Sequence, residues 1–398
     1  MSINNTPRAN RLHIGIFGKR NSGKSSLINA LTGQDISVVS DIAGTTTDPV
    51  YKAMEIQGIG PCVLIDTAGF DDFGSLGKMR VEQSKKAMEK TDIALIVFTD
   101  EDITIEAKWI KEFQGRNTPF IPLINKIDKL DRPTIDTIRS KINSICKEEA
   151  ICISALTKTG IDNIREAILR KLPQDYDAKD ITGNLVQEND IVLLVMPQDI
   201  QAPKGRLILP QVQTIRELLD KKCIVISCTA DKVTQALASL LSPPKLIITD
   251  SQVFSEVYKV KPAQSLLTSF SVLFAALKGD MDYFLKSVAK IDDLTTASKV
   301  LIAEACTHVP LKEDIGTVKI PRLLRKKVGE KLTIINVRGN DFPKDLTDYD
   351  LIIQCGSCMF NRKFVLNRVE EAKKQQVPMT NYGIVLAYLS GILDKICT

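Results

Sequence analysis

The chain has 398 residues, of which 44% are hydrophobic and 25% are charged. This length exceeds one ordinary hydrophobic core, so we expect two or three domains, and the composition is typical of a globular protein. The formal net charge of +5 is spread along the chain, which argues against nucleic acid or an anionic membrane surface as a partner.

The apolar runs and the cysteines indicate the cellular compartment of the protein. The longest apolar runs are shorter than the roughly 18 residues that span a bilayer, and the first residues lack the apolar segment of a signal peptide. We therefore expect a cytoplasmic protein. Its nine cysteines are then thiols or metal ligands rather than disulfides.

Residues 1–173 alternate strand-like and helix-like segments. This alternation predicts an α/β fold with a doubly wound, largely parallel sheet, whose ligands bind at the carboxyl ends of the strands. Strands are expected at 12–17, 51–57, 62–66, 93–98, 119–124 and 150–153. Helices are expected at 24–31, 76–90, 104–113, 132–145 and 161–171.

The first expected strand ends in a phosphate-binding loop. Gly18 to Ser25 reads Gly-Lys-Arg-Asn-Ser-Gly-Lys-Ser and fits the P-loop pattern G-x-x-x-x-G-K-[ST], with a strand before it and a helix after it. Its glycines let backbone N–H groups surround a phosphate, and the helix N-terminus adds a favourable partial charge. Lys24 is expected to neutralise the β- and γ-phosphates. The predicted phosphate contacts are Gly18, Asn21, Ser22, Gly23, Lys24, Ser25, Ser26, Thr46 and Gly69.

Further motifs follow the strands in the order that a GTPase requires. Asp66-Thr67-Ala68-Gly69 closes the third expected strand, and we expect Ser25, Thr46 and Asp66 to hold Mg²⁺. Asn125-Lys126-Ile127-Asp128 follows the fifth strand, where the Asp128 carboxylate can accept hydrogen bonds from N1–H and the exocyclic amine of guanine. The predicted guanine contacts are Asn125, Lys126, Asp128, Ser154 and Ala155. The whole set predicts a guanine-specific, Mg²⁺-dependent P-loop GTPase domain.

These motifs resemble those of the TrmE/Era/Der group of GTPases, including the wording Ile42-Ala43-Gly44-Thr45-Thr46. Phe70 stands where Ras-like proteins carry a water-orienting glutamine, so that route to hydrolysis is absent. Asn21 occupies the P-loop position that helps hold a potassium ion in the TrmE-like group. The resemblance therefore implies a slow, K⁺-stimulated hydrolysis of GTP to GDP and phosphate, used as a switch. A plain hydrogen bond within the loop is the alternative role for Asn21.

The middle region, 180–262, is expected to be a small parallel α/β dimerisation domain. Strand-like segments at 191–196, 223–227 and 246–249 alternate with helical segments at 211–221, 232–241 and 252–260. The region has no second phosphate loop, which argues against a tandem GTPase of the Der type. Because a three-stranded sheet leaves an edge to be covered, we expect dimerisation from strand to strand.

The last region, 265–398, is expected to be an α/β domain with a metal centre. Helices are expected at 264–277, 281–290, 294–306 and 362–374, and strands at 332–336 and 350–354. Cys306-Thr307-His308 and Cys355-Gly356-Ser357-Cys358 offer two pairs of ligands from different elements. From these residues a redox dithiol, a structural Zn²⁺ and an iron–sulfur cluster on three thiolates all remain open.

A TrmE-like GTPase, a small α/β domain and this cysteine pattern together resemble the HydF family, GTPases that mature di-iron (FeFe) hydrogenases. The resemblance implies a 4Fe-4S cluster on Cys306, Cys355 and Cys358. The fourth position would be exchangeable, with His308 as first candidate and Glu304, Asp314 or solvent as the others. The resemblance also implies a homodimer built through the middle domain. It implies a scaffold that receives a di-iron precursor from radical-SAM maturases and delivers it to apo FeFe-hydrogenase during H-cluster maturation.

The alternative is a TrmE/Era-like GTPase of tRNA modification or ribosome assembly whose last region holds a structural zinc. The absence of a concentrated basic patch argues against it. So does the ending Lys395-Ile396-Cys397-Thr398, which lacks the Cys-x-Gly-Lys of TrmE. Binding of RNA that weakens steeply with salt would favour this alternative.

Overall fold

The computed structural model describes residues 8–32, 49–56, 59–67, 75–172, 180–196, 207–305, 314–339 and 341–397. Contacts divide the chain into two compact units, Met1–Tyr176 and Asp177–Thr398. No helix in these described ranges is long and apolar enough to cross a membrane.

The first unit is a sheet covered by helices. Its described strands are β1 (Leu12–Gly18), β2 (Val50–Ile56), β3 (Gly60–Asp66), β4 (Ile93–Phe98), β5 (Phe120–Ile124) and β6 (Ile151–Cys152). Its described helices are α1 (Lys24–Thr32), α2 (Ser75–Met88), α3 (Thr104–Gly115), α4 (Arg132–Ile145) and α5 (Ile161–Lys171). The strands lie in the order β2-β3-β1-β4-β5-β6, and every pair is parallel except β2 with β3. Each element matches a segment expected from the sequence, which confirms the doubly wound P-loop fold.

The strand β1 is central to this unit, and all its residues are buried. Ile14 and Ile16 pack in one apolar cluster with Leu27 of α1. Phe17 belongs to a second cluster, where its ring centroid lies 5.6 Å from that of Trp109 in α3. Burial on both faces explains why this strand is an almost continuous apolar run, as parallel strands between helices are. It also fixes the carboxyl end of β1, where the phosphate loop begins.

The second unit contains two parallel sheets. The first sheet has β7 (Ile191–Val195), β8 (Ile224–Cys228), β9 (Leu246–Thr249) and β10 (Leu266–Ser269), in the order β10-β9-β7-β8. The second has β11 (Lys299–Glu304), β12 (Thr333–Arg338), β13 (Leu351–Gln354) and β14 (Met379–Asn381), in the order β12-β11-β13-β14. The described helices are α6 (Leu209–Asp220), α7 (Val233–Ala238), α8 (Phe254–Val260), α9 (Phe270–Lys278), α10 (Met281–Val288), α11 (Ile320–Val328), α12 (Arg362–Lys374) and α13 (Tyr382–Leu389). One apolar cluster includes residues of both sheets, such as Ile247 and Ile302.

Two expected helices of this unit are wrong over part of their length. The segment 264–277 begins as β10, and it becomes helical only at Phe270, where the Ser269 hydroxyl accepts the N–H of Val272. Since β10 pairs with β9, the first sheet has four described strands instead of the expected three. The segment 294–306 contains β11, whose residues 300–304 are buried. A short apolar run fits a buried strand as well as a helix, and its periodicity does not separate the two.

The other elements of this unit mostly follow the sequence expectations. β7, β8, β9, β12 and β13 lie within one or two residues of expected strands, and α6, α8, α10 and α12 lie close to expected helices. The helix α7 ends at Ala238, three residues before the expected end. The strand β14 and the helix α13 lie where neither was expected.

Candidate functional site

The loop between β1 and α1 has the backbone shape that a phosphate chain requires. Gly18 and Gly23 have φ angles of 159° and 86°, and Asn21 has a left-handed φ of 57°. A Cβ on Gly18 would lie 2.7 Å from the carbonyl oxygen of Val97, and a Cβ on Gly23 would lie 2.4 Å from Nδ2 of Asn125. Only glycine fits at both positions. The loop therefore curls tightly, which is the shape from which P-loop N–H groups bind phosphate.

Lys24 and Ser25 begin α1 and direct their side chains to this loop. Nζ of Lys24 donates to the carbonyl oxygens of Gly18 at 3.1 Å and Lys19 at 2.7 Å, which holds the ammonium across the loop. Oγ of Ser25 donates to Oδ2 of Asp66 at 2.8 Å. The β- and γ-phosphate oxygens and Mg²⁺ can take over these contacts when a nucleotide binds.

Asp66 is suited to hold Mg²⁺ together with Ser25. It is buried at the end of β3, and the neighbouring Thr67 hydroxyl donates to the carbonyl oxygen of Ile16 at 2.6 Å. Burial raises the pKa of Asp66, while the hydrogen bond from Ser25 and the charge of Lys24 lower it. A divalent cation favours the ionised form of such a carboxyl, so this hydroxyl and carboxylate fit Mg²⁺.

Asn125, directly after β5, connects the phosphate loop with the predicted guanine contacts. Its Nδ2 donates to the carbonyl oxygen of Ser22 at 2.8 Å, and its Oδ1 accepts from the N–H of Ala155 at 3.1 Å. Nζ of Lys126 donates to the carbonyl oxygen of Asn21 at 2.6 Å. The structure thus brings these predicted residues together from three separate loops.

Asp128 and Ser154 form the end of this site that is expected to recognise the base. Oγ of Ser154 donates to Oδ1 of Asp128 at 2.6 Å, and it accepts the N–H of Thr157 at 3.1 Å. The Ser154 hydrogen bond lowers the pKa of the exposed Asp128 carboxyl. An ionised carboxylate is the acceptor that the N1–H and amine donors of guanine require.

Some predicted contacts lie outside the described residues, namely Thr46 and Gly69, and their roles stay predictions. Ser26 is half-buried in the first turn of α1. Across the ranges that the structure describes, the buried Oγ of Ser22 has no hydrogen-bond partner. A buried hydroxyl without a partner is costly, and a phosphate oxygen is a suitable acceptor for it. The glycine-lined loop and this hydroxyl both fit a nucleotide phosphate chain.

A buried carboxyl group behind the phosphate loop was not expected from the sequence. Glu106 of α3 is 2% exposed. Burial raises its pKa to about 7, although the charge of Lys19 and a backbone hydrogen bond from that residue lower it. Nζ of Lys19 also lies 2.8 Å from Oδ1 of Asp100 and 3.8 Å from Oδ2 of Asp102. These contacts join the loop to α3 through residues distant in sequence, and no local motif marks them.

In the second unit, the turn between β13 and α12 carries Cys355 and Cys358. Because β13 runs parallel to β11, Cys355 lies beside the end of β11. Its Sγ accepts from the N–H of Ala305 at 3.0 Å and from the N–H of Ser357 at 3.4 Å. Burial raises the pKa of the Cys355 thiol, whereas these N–H donors lower it. The net effect is a raised pKa, so the thiol is favoured when no metal is bound, whereas a metal ion would favour the thiolate that these N–H groups stabilise.

The remaining predicted cluster residues, Cys306 and His308, lie outside the described residues. Cys306 follows Ala305 in the sequence. Among the side chains that the structure describes, no group of three or more His, Cys, Asp or Glu residues could hold a metal ion. The ligand set of the cluster therefore stays a prediction.

The two carboxylates considered for the fourth position already have protein partners. Oε1 of Glu304 accepts from the Tyr382 hydroxyl at 3.3 Å, and its Oε2 lies 3.2 Å from Nε of Arg338. Oδ1 of Asp314 accepts from the N–H of Thr317 at 2.7 Å and from its hydroxyl at 2.9 Å. Either carboxylate would have to exchange these partners for a metal.

Comparisons with known families match three successive regions of the chain. The model of the 50S ribosome-binding GTPase family matches residues 13–126. The hydrogen maturase F dimerization domain matches residues 181–279, and the hydrogen maturase F tetramerization domain matches residues 282–398. These two models together span more than half of the chain. The chain belongs to the hydrogen maturase F (HydF) family. In this HydF chain, β7 to β10 fall within the dimerization model, and the cysteine turn falls within the tetramerization model.

Curated relatives match less than half of this HydF chain, and they are GTPases. The tRNA modification GTPase MnmE of Ligilactobacillus salivarius is 33% identical over 191 residues, which are 47% of this chain and 40% of that protein. GTPase Der of Wolinella succinogenes is 37% identical over 171 residues, 40% of this chain and 35% of that protein. The chain thus spans less than half the length of these relatives. A solved structure of Era in complex with MgGDPNP and 16S ribosomal RNA nucleotides is similar at a TM-score of 0.37 and 20% identity, covering 64% of this chain and 98% of that chain.

Proposed function

We propose that this HydF chain is a cytoplasmic GTPase scaffold that holds a 4Fe-4S cluster and delivers a di-iron precursor to apo FeFe-hydrogenase. Radical-SAM maturases would supply the precursor. The observation that carries the proposal is the 3.0 Å contact between the N–H of Ala305 and Sγ of Cys355. Since Cys306 is the next residue of the chain, this contact supports a ligand set drawn from the ends of β11 and β13.

The GTP site supplies the side chains for hydrolysis. Lys24 would neutralise the β- and γ-phosphates, and Ser25 and Asp66 would hold Mg²⁺, which offsets the charge that develops as water attacks the γ-phosphate. Asp128 would select guanine. GTP could then act as a switch only through contacts that differ between the GTP and GDP states. Such contacts are proposed for Thr46 and the segment 66–70.

Stimulation by K⁺ is proposed to act through Asn21. The Asn21 side chain is exposed at the phosphate loop, and Nζ of Lys126 donates a hydrogen bond of 2.6 Å to the Asn21 carbonyl oxygen. A cation held by the Asn21 amide oxygen would stabilise negative charge on the phosphates as they react, which compensates for Phe70 in the place of a glutamine. The test compares hydrolysis rates in KCl and NaCl at equal ionic strength. A slow rate that rises in KCl supports the proposal, and equal rates contradict it.

The homodimer is proposed to form through β8. This strand lies at the edge of its sheet and pairs with β7 alone among the described strands. Ile224 at its start is 52% exposed. An exposed, apolar edge strand offers unpaired N–H and C=O groups to a second copy of the same strand.

The cluster is tested by the metal content of anaerobically purified and reconstituted protein. Iron and sulfide should each approach about four per chain and should be lost in Cys306→Ala, Cys355→Ala and Cys358→Ala. Cys397→Ala is the matched control, because this half-buried cysteine has no proposed ligand role. GTP hydrolysis should survive in all four variants.

The alternative function is a GTPase that acts on tRNA or the ribosome. It is favoured by the match of residues 13–126 to the 50S ribosome-binding GTPase model and by the similarity to MnmE. Stoichiometric zinc without sulfide, together with RNA binding that falls steeply with salt, would support it and would contradict the scaffold.

A further inference from the structure

A buried lysine lies against the cysteine turn. Lys278 is the last residue of α9 and is 3% exposed. Its Nζ donates to three backbone carbonyl oxygens, those of Ser357 at 3.0 Å, Cys358 at 3.3 Å and Phe360 at 2.8 Å. All three belong to the turn between β13 and α12. One ammonium group therefore fixes the backbone on which Cys358 is carried.

Other contacts fix the same turn from its opposite end. Ser357 has a positive φ of 47°. Its hydroxyl accepts from Nε2 of Gln354 at 2.7 Å, and Oε1 of Gln354 accepts from Arg368 at 3.2 Å. The N–H of Ser357 donates to Sγ of Cys355. With Lys278 these contacts hold the turn in one conformation, and such pre-organisation favours metal binding.

The charge of Lys278 has a second consequence. A buried ammonium is costly, and hydrogen bonds to the three carbonyl oxygens offset part of this cost. An iron–sulfur cluster on cysteine thiolates would supply negative charge to this turn. A fixed positive charge nearby stabilises the reduced form of such a cluster more than the oxidised form, because the reduced form carries one more electron.

We propose that Lys278 is a positioning residue for the cluster, which holds the cysteine turn ready for binding and raises the reduction potential of the bound cluster. The inference rests on the proposed function, since it requires a cluster on Cys355 and Cys358. It is carried by the geometry of Nζ and the three carbonyl oxygens.

The test compares wild-type protein with Lys278→Met, Lys278→Arg and the control Lys286→Met after anaerobic reconstitution. Met keeps the length of the side chain without its charge, Arg keeps the charge, and Lys286 is exposed on the next helix. The readouts are iron and sulfide per chain and the reduction potential of the cluster by spectroscopic titration. At a fixed potential, Lys278→Met should show an about tenfold lower ratio of reduced to oxidised cluster, which is about 59 mV for one electron. Lys278→Arg and Lys286→Met should stay near wild type.

Each outcome decides the inference. A Lys278→Met protein with wild-type cluster content and potential would overturn it. If Lys278→Met loses the cluster entirely, retention of the cluster in Lys278→Arg supports the inference, and loss in both variants with unchanged circular dichroism overturns it. Absence of iron and sulfide from the wild-type protein would instead show that the proposed function is wrong. The proposed role of Lys278 would then be wrong as well.

Discussion

Replacing Glu106 with glutamine should remove a pH dependence from the stability of the GTPase unit. Burial raises the pKa of Glu106 from 4.5 to about 7. Well below pH 4.5 the carboxyl is protonated in both the folded and the unfolded chain, so it does not affect unfolding. Between pH 4.5 and about 7 the unfolded chain ionises this carboxyl while the folded chain keeps it protonated, and above about pH 7 it is ionised in both states. Stability is therefore lost as the pH rises.

The size of this loss follows from the two pKa values. The interval from 4.5 to about 7 corresponds to roughly 3 kcal/mol of unfolding free energy once the carboxyl is ionised in both states. For a unit of this size, the melting temperature falls by on the order of 5–10 °C. The Glu106→Gln variant keeps an oxygen that can accept the N–H of Lys19 but carries no charge. Between about pH 5.5 and about pH 8 the wild type should therefore lose roughly 2 kcal/mol through Glu106, and the variant should lack this part of the decline in melting temperature.

The single tryptophan of the chain provides the assay. Trp109 lies one turn beyond Glu106 on α3 and stacks on Phe17, so its fluorescence reports on this unit during thermal unfolding of the full chain. Glu112→Gln is the control, because this half-buried residue of the same helix pairs with Lys85 at 3.5 Å. The control should keep the wild-type pH dependence. Parallel pH curves for wild type and Glu106→Gln would refute the reasoning.

Three further predictions test the other parts of the account. Asp128→Asn should weaken GTP binding about 100-fold in nucleotide titrations, because two charge-assisted hydrogen bonds to guanine are lost. This variant should bind xanthosine triphosphate instead. An unchanged affinity for GTP would contradict the base-binding role of Asp128. Asn21→Ala should hydrolyse GTP equally in KCl and NaCl, and a remaining K⁺ stimulation would place the ion elsewhere. The N–H of Ile224 donates to the carbonyl oxygen of Asp190, on the β7 side of β8. Because backbone N–H groups of successive strand residues point to opposite sides, the N–H of Ser227, three residues later, faces the open edge of the sheet. Ser227→Pro should weaken the dimer about tenfold or more in sedimentation experiments while Ser227→Ala does not, and an equally strong dimer in both would rule out pairing through β8.

The GTP-binding unit could be predicted in detail because its signals are local. A P-loop requires glycine at Gly18 and Gly23 for steric reasons, and Asp128 follows a buried strand at a fixed spacing, so each residue type is visible in a short window. Contacts between loops that are distant in the sequence cannot be recognised from any short stretch of it. The bridge of Asn125 from Ser22 to Ala155 and the burial of Glu106 behind Lys19 depend on tertiary packing.

The second unit was harder to predict because its apolar runs are short and buried on all sides. The apolar run in β11 has no alternation of polar and apolar residues, because the strand is buried on both faces. Such a run has the same sequence pattern as a buried helix. The run in β10 is followed at once by a helix whose capping residue, Ser269, is also the last residue of the strand. Lys278 is one of many lysines in the sequence. Only the fold shows that it is buried against the cysteine turn.

Transfer of the precursor to apo FeFe-hydrogenase tests the central claim most directly. The chain would be produced together with the radical-SAM maturases, purified anaerobically and mixed with apo-hydrogenase, and hydrogen evolution would be measured. The account expects activation by the wild-type chain and none by Cys355→Ala, with Cys397→Ala equal to wild type. A wild-type chain that carries iron and sulfide but does not activate the apo-hydrogenase would contradict the account.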